Sequence, residues 1–217
     1  MKQTIKVTAL TEWKDVTLKK YLEMMGDIEA YKDDQEAVDA LMLHHLAGIP
    51  YEELTNVSAE SYNILKEKLS KFLKPQDMEL QKFVTIGDVE YGFEPNLSKM
   101  TYGAYADISQ YDTITIDKNW PKIMSILYRP VTKKEKHGLY QIEGYTGKID
   151  EKPWLNVTMD VHFGCLFFFL HLQLDLMKDT LKSLKKEEFH PSINTILEES
   201  GEAIQQYLNL HKEILKK

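Results

Sequence analysis

The sequence predicts an α+β protein that is predominantly helical, with a short N-terminal strand, a central β-hairpin and a long buried helix in the C-terminal half. Three observations lead to this class. Apolar residues recur at helical spacing, Gly87-Asp88 separates two β-rich runs, and residues 163–170 are continuously apolar. The length of 217 residues favours a single domain, 1–217, in which a helical part (1–80) precedes the hairpin and further helices (81–217).

The N-terminal part is expected to begin with a strand and to continue with three helices. Residues 4–10 alternate β-branched and polar side chains, which is typical of a half-buried strand. The residues expected to cap the three helices are Thr17, Asp33 (with Glu36 in a capping box) and Ser58. Pro75 ends the third helix, so residues 16–74 are expected to form a compact helical group.

The middle of the chain combines the hairpin with two shorter helices. Residues 83–95 place Gly87-Asp88 between two β-rich runs, a sequence typical of a hairpin with glycine first in its turn. Apolar residues at a spacing of four predict the first helix: Met100, Ala104 and Ile108. The second helix is expected to open at residues 119–121 and to end before Arg129-Pro130.

The remaining segments lead to the strongest apolar signal. Residues 132–138, which are rich in lysine, are expected to form an exposed loop or hairpin tip before a strand at 139–145. Residues 153–184 predict a central helix, because the apolar run 163–170 is too short for the ~20 residues that a membrane span needs. Its expected core positions are Leu166, Phe167, Leu170 and Leu174. A final amphipathic helix is expected from Pro191 onward.

Charge and composition restrict the classes of partner and compartment. A net charge of −7 opposes binding to nucleic acid, whose phosphates attract clustered cations. Cys165 is the single cysteine, so an internal disulfide is excluded and its apolar neighbours favour a structural thiol. The N-terminus lacks the apolar core of a signal peptide, which predicts a cytoplasmic product.

The histidines and carboxylates supply the candidate catalytic and metal-binding residues. His171 and Asp175 are four residues apart and share a helix face, so with His162 they offer a small-ligand or metal site as the alternative function. Hydrogen-bonded structural histidines are the favoured interpretation, because HExxH and comparable spacings are missing. The chain also lacks a G-x-S-x-G elbow, a Walker loop and G-x-G-x-x-G, and we predict no catalytic residue, cofactor or metal.

Aromatic residues and the only arginine supply the candidate partner-binding positions. Tyrosine combines an apolar ring with a hydroxyl that hydrogen-bonds, and arginine is the other residue type favoured in interfaces. The expected partner-binding residues are Tyr91, Phe93, Tyr102, Tyr105, Tyr111 and Arg129. Ordinary core and rim packing is the alternative for the aromatic residues, and a structural ion pair is the leading interpretation of Arg129.

Four sequence blocks together resemble proteins of tailed phages. The blocks are EWKDVTLKKYLEM, VEYGFEPNLSKMTYGAYADI, NWPKIMSILYRPV and MDVHFGCLFFF, and the similarity in order and texture spans residues 4–175. The group comprises tail assembly chaperones and small virion components, as in phages of Bacteroides and crAss-like phages. The resemblance implies a non-enzymatic role in virion morphogenesis, as a tail assembly chaperone or a minor tail or neck component. It also implies partners among other phage virion or tail proteins or further copies of the chain, and a place in the host cytoplasm during assembly or in the virion.

Overall fold

The computed structural model describes residues 12–73 and 78–184, with only the backbone for residues 180–184. Within these ranges the protein is α+β, with seven α-helices and one four-stranded antiparallel sheet. The elements in chain order are α1 (Leu18–Glu29), α2 (Gln35–Ala47), α3 (Tyr51–Leu54), α4 (Ala59–Phe72), β1 (Phe83–Ile86), β2 (Val89–Phe93), α5 (Tyr102–Ile108), α6 (Trp120–Leu127), β3 (Tyr128–Lys134), β4 (Tyr140–Ile142) and α7 (Met159–Leu184). The predicted strand at 4–10 and the predicted helix from Pro191 lie outside the described residues.

The N-terminal helical group forms where its caps predict. The Thr17 and Ser58 side chains accept hydrogen bonds from backbone N–H groups in the first turns of α1 and α4, which satisfies donors without helical partners. In α2 the capping residue is Asp34 rather than Asp33, and its carboxylate accepts from two N–H groups. Gly48 ends α2 in the left-handed conformation, with φ of 66°, that glycine adopts without a Cβ clash.

The four strands form a meander in the order β1-β2-β3-β4. The hairpin around Gly87 is confirmed, and it extends into a sheet because Gly92 and Phe93 of β2 pair with Arg129 and Tyr128 of β3. The lysine-rich segment 132–138 is therefore only partly a loop, since β3 continues to Lys134. Helix α6 also ends without a connecting loop, because Leu127 is directly followed by the first residue of β3.

Helix α7 contributes to the core along only part of its length, so the prediction of a long buried helix is not confirmed as a whole. Its buried side chains are Met159, Val161, His162, Cys165, Phe169 and Leu174. Of the four expected core positions only Leu174 is buried, while Leu166, Phe167 and Leu170 are half-buried. Exposure increases beyond this region, and Leu176 is 59% exposed. The helix is thus long and buried mainly along its first half.

Candidate interaction surface

Helix α5 presents two tyrosines to solvent beside its two buried residues. The Thr101 hydroxyl caps the helix by accepting a hydrogen bond from the Ala104 N–H. Ala104 and Ile108 are buried against the rest of the protein. Tyr102 and Tyr105 are one helical turn apart and are 84% and 61% exposed, respectively. These two rings define the α5 surface.

Tyr145 braces α5 from the neighbouring loop. A Cβ added at Gly103 would lie 3.8 Å from the Tyr145 ring, which is an ordinary packing distance, so this ring lies directly beside the first turn of the helix. The Tyr145 hydroxyl donates a hydrogen bond to the Asp107 carboxylate near the end of the helix. Burial and this hydrogen bond raise the pKa of Tyr145 to about 12, so the hydroxyl keeps its proton at neutral pH. Both ends of α5 are therefore fixed by polar contacts.

Arg129 forms an internal ion pair with Glu94. The Arg129 guanidinium donates to the Glu94 carboxylate, and both side chains are only 11% exposed. The Nε atom of Arg129 is buried and has no hydrogen-bond partner. The structure therefore places this arginine in the structural ion pair that was its leading interpretation, with its charge directed inward rather than towards a partner.

The other expected interface residues are partly or wholly covered. Phe93 is 4% exposed and packs against Tyr128 and Phe168, so it offers no surface to a partner. Tyr91 is half-buried, with its ring 5.6 Å from that of Trp154. Tyr111 is also half-buried, beside the ammonium of a lysine. Of the six expected positions, the structure leaves only the α5 surface strongly exposed.

The structure separates two residues of the alternative site on α7, His162 and His171. His162 is fully buried, and its Nδ1 accepts a hydrogen bond from the Trp120 indole N–H while its Nε2 donates to the Trp154 carbonyl. His171 is exposed and lies about two and a half turns further along α7, on the opposite side of the helix from His162. Within residues 12–73 and 78–184, no group of three or more His, Cys, Asp or Glu side chains is arranged to hold a metal ion.

Sequence reasoning missed the partners in two long-range contacts, of which one braces α5. Tyr145 and Asp107 are 38 residues apart, and Glu94 and Arg129 are 35 apart. A sequence pattern with helical or strand period reports only local neighbours, so it carries no signal for such pairs. The exposed tyrosines were found, but together with four residues that the fold covers.

Comparison with known proteins gives no family. No family model matches the chain, and no curated protein or solved structure is significantly similar to it. In the described part of the chain, no helix has both the length and the apolar character needed to cross a membrane.

Proposed function

We propose that this protein acts by binding other proteins, with the α5 surface as its contact. The observation that carries the proposal is the pair of exposed rings, Tyr102 and Tyr105, on a short helix that is anchored by buried Ala104 and Ile108. The resemblance of the sequence blocks to phage proteins supplies the context. In that context the protein is a virion-morphogenesis factor, a tail assembly chaperone or a minor tail or neck component, and acts in the host cytoplasm without catalysing a reaction.

The chemistry of the α5 surface suits a protein partner. A tyrosine contributes roughly 150–250 Å² of contact area and keeps a hydroxyl available for a hydrogen bond at the rim. A side chain with few rotatable bonds also loses little entropy when it is immobilised in an interface. The brace from Tyr145 to Asp107 reduces this cost further, because the helix that carries the rings is already fixed.

The two tyrosines are the anchors of such an interface, but they supply only part of the area that it buries. A stable interface buries about 1,600 Å², and a few aromatic residues provide most of its free energy. We therefore expect Tyr102→Ala/Tyr105→Ala to weaken association by at least ~2 kcal/mol, which is about a 30-fold increase in Kd. The fold should persist, since both rings are exposed.

Pull-down from phage-infected cells, followed by a binding titration with each captured phage protein, tests the proposal. The matched control is Tyr31→Ala/Tyr51→Ala, which removes two tyrosines that are 54% and 45% exposed on the N-terminal helical group. The α5 variant should lose the partner and the control should retain it. Equal binding by the two variants contradicts the α5 surface, and failure of the wild type to capture any phage protein contradicts the whole proposal.

Mass spectrometry of purified virions separates the two roles within virion morphogenesis. A minor tail or neck component should be present in a fixed copy number, whereas an assembly chaperone should be present in infected cells and absent from virions. The same α5 variants then show whether incorporation or assembly depends on Tyr102 and Tyr105.

A further inference from the structure

A cavity of about 540 Å³ lies between the start of the described chain, the end of α4 and the first turn of α7. This volume is within the range of small-molecule sites, about 300–1,000 Å³. Its walls combine two chemical types, which are apolar (Trp13, Phe72 and Met78) and acidic (Glu12, Glu79 and Asp160). The cavity is remote in sequence from the α5 surface and does not depend on the function proposed for it.

The apolar wall is an ordered aromatic cluster. The ring centroids of Trp13 and Phe72 are 4.6 Å apart, and Phe163 packs edge-on against Trp13 at 5.0 Å. Trp13 is half-buried, so part of its indole faces the cavity while the rest is held by its neighbours. The negative face of an aromatic ring attracts cations within about 6 Å, and indole does so most strongly.

On the acidic wall, Asp160 is held in place by two hydrogen bonds. The Asp160 carboxylate accepts hydrogen bonds from the Gln81 amide at 2.8 Å and the Thr158 hydroxyl at 2.6 Å. Glu79 approaches α7 closely at Gly164, where an added Cβ would lie 2.5 Å from the Glu79 carbonyl oxygen. The Glu79 carboxylate forms no ion pair with another described residue.

One internal cation already occupies part of the acidic wall. The Lys14 ammonium lies 2.5 Å from the Glu12 carboxylate, and this contact with Glu12 raises the pKa of Lys14. Because Lys14 neutralises only one of the three carboxylates, the charged lining side chains in the described ranges 12–73 and 78–184 carry a net charge of −2. The cavity therefore has an aromatic side and an excess of negative charge.

We propose that this cavity binds an alkylammonium group, with the alkyl chain against Trp13 and Phe72 and the ammonium at Glu79 and Asp160. A free polyamine and a lysine side chain of another protein share this chemistry. A neutral ligand of the same shape would keep the apolar contact and lose both the carboxylate contacts and the cation–π attraction.

The protein contains its own reporter for a test. Of its three tryptophans, Trp120 and Trp154 are 0% and 1% exposed, so Trp13 is the one that a ligand in this cavity contacts. Tryptophan emission is followed during titration with spermidine, with a short lysine-containing peptide and with the same peptide acetylated at lysine, at constant ionic strength. Saturable binding of spermidine or of the lysine peptide supports the proposal, provided that the acetylated peptide does not bind. Whichever of the two ligands binds more tightly identifies the source of the ammonium.

Variants assign the binding to the cavity. Glu79→Gln/Asp160→Asn should raise Kd about tenfold, whereas Asp88→Asn/Asp112→Asn removes two exposed carboxylates elsewhere and should leave Kd within about twofold. Lys14→Gln removes the competing internal cation and should lower Kd by about threefold. Equal affinity for the lysine and acetyl-lysine peptides, or equal affinity of the two double variants, overturns the proposal.

Discussion

The imidazole of His162 makes the stability of the core dependent on pH. This side chain is fully buried, and both ring nitrogens are engaged by the Trp120 indole and the Trp154 carbonyl. Because Trp120 donates to Nδ1, the neutral ring must carry its proton on Nε2. A second proton on Nδ1 would face the indole N–H donor, and it would also place a charge inside the core. Burial accordingly lowers the pKa of His162 to about 4.

The direction of the pH effect follows from the difference between the pKa of His162 in the unfolded chain and its pKa in the folded protein. In the unfolded chain the imidazole has a pKa near 6.5, and in the folded protein the value is about 4. Between these values the unfolded chain binds the proton more strongly, so the free energy of unfolding falls as the pH falls. The loss attributable to His162 is about 2 kcal/mol at pH 5 and approaches about 3 kcal/mol below pH 4.

Urea denaturation at pH 7 and pH 5 measures this contribution when the wild type is compared with His162→Gln. The variant is expected to be less stable at pH 7, since an amide cannot reproduce both imidazole hydrogen bonds, but its decline towards pH 5 should be smaller by about 2 kcal/mol. The control is His137→Asn, in an exposed turn where the residue has φ of 64° and asparagine is tolerated. Identical pH dependence in the wild type and His162→Gln would refute the reasoning.

Two further predictions concern close packing and the buried ion pair. Gly164→Ala should destabilise the protein by about 1–3 kcal/mol in urea denaturation, because the new Cβ meets the Glu79 carbonyl oxygen, whereas Gly26→Ala, with open space around it in α1, should stabilise by up to about 1 kcal/mol. Equal changes in the free energy of unfolding for the two substitutions would show that the Glu79 backbone does not pack tightly against α7 at Gly164. Glu94→Gln should cost about 3 kcal/mol, since the Arg129 guanidinium then stays buried without its counter-charge, and Glu94→Gln/Arg129→Met should recover part of this loss. A double variant no more stable than Glu94→Gln would contradict this account.

The elements with local signals were predictable from the sequence. Thr17 and Ser58 cap helices because their side chains bond to N–H groups only three residues away. The turn at Gly87 is equally local, and its φ of 60° is one that glycine adopts readily. Each of these features depends on neighbours within one turn, so a single sequence contains the information.

The buried face of α7 was not predictable in the same way. Residues 163–170 are apolar on every side, so the sequence period does not distinguish the face at Cys165 and Phe169 from the neighbouring face at Leu166 and Leu170. The choice is made by Trp120 and Trp154, which hold His162 and thereby fix the rotation of the helix. That choice requires contacts between distant parts of the chain, which a local pattern does not contain.

The candidate interface has the same division between local and long-range information. Aromatic richness in residues 91–111 was visible in the sequence, but exposure depends on what the fold lays over each ring. Phe93 is covered by α7, whereas Tyr102 and Tyr105 stay outside because Ala104 and Ile108 occupy the buried side of α5. Ala104 is fully buried, and the Tyr145 ring packs beside Gly103 at an ordinary van der Waals distance. Exposure of the two rings is thus decided by which residues of α5 the rest of the fold covers, and this depends on contacts that a local sequence pattern does not contain.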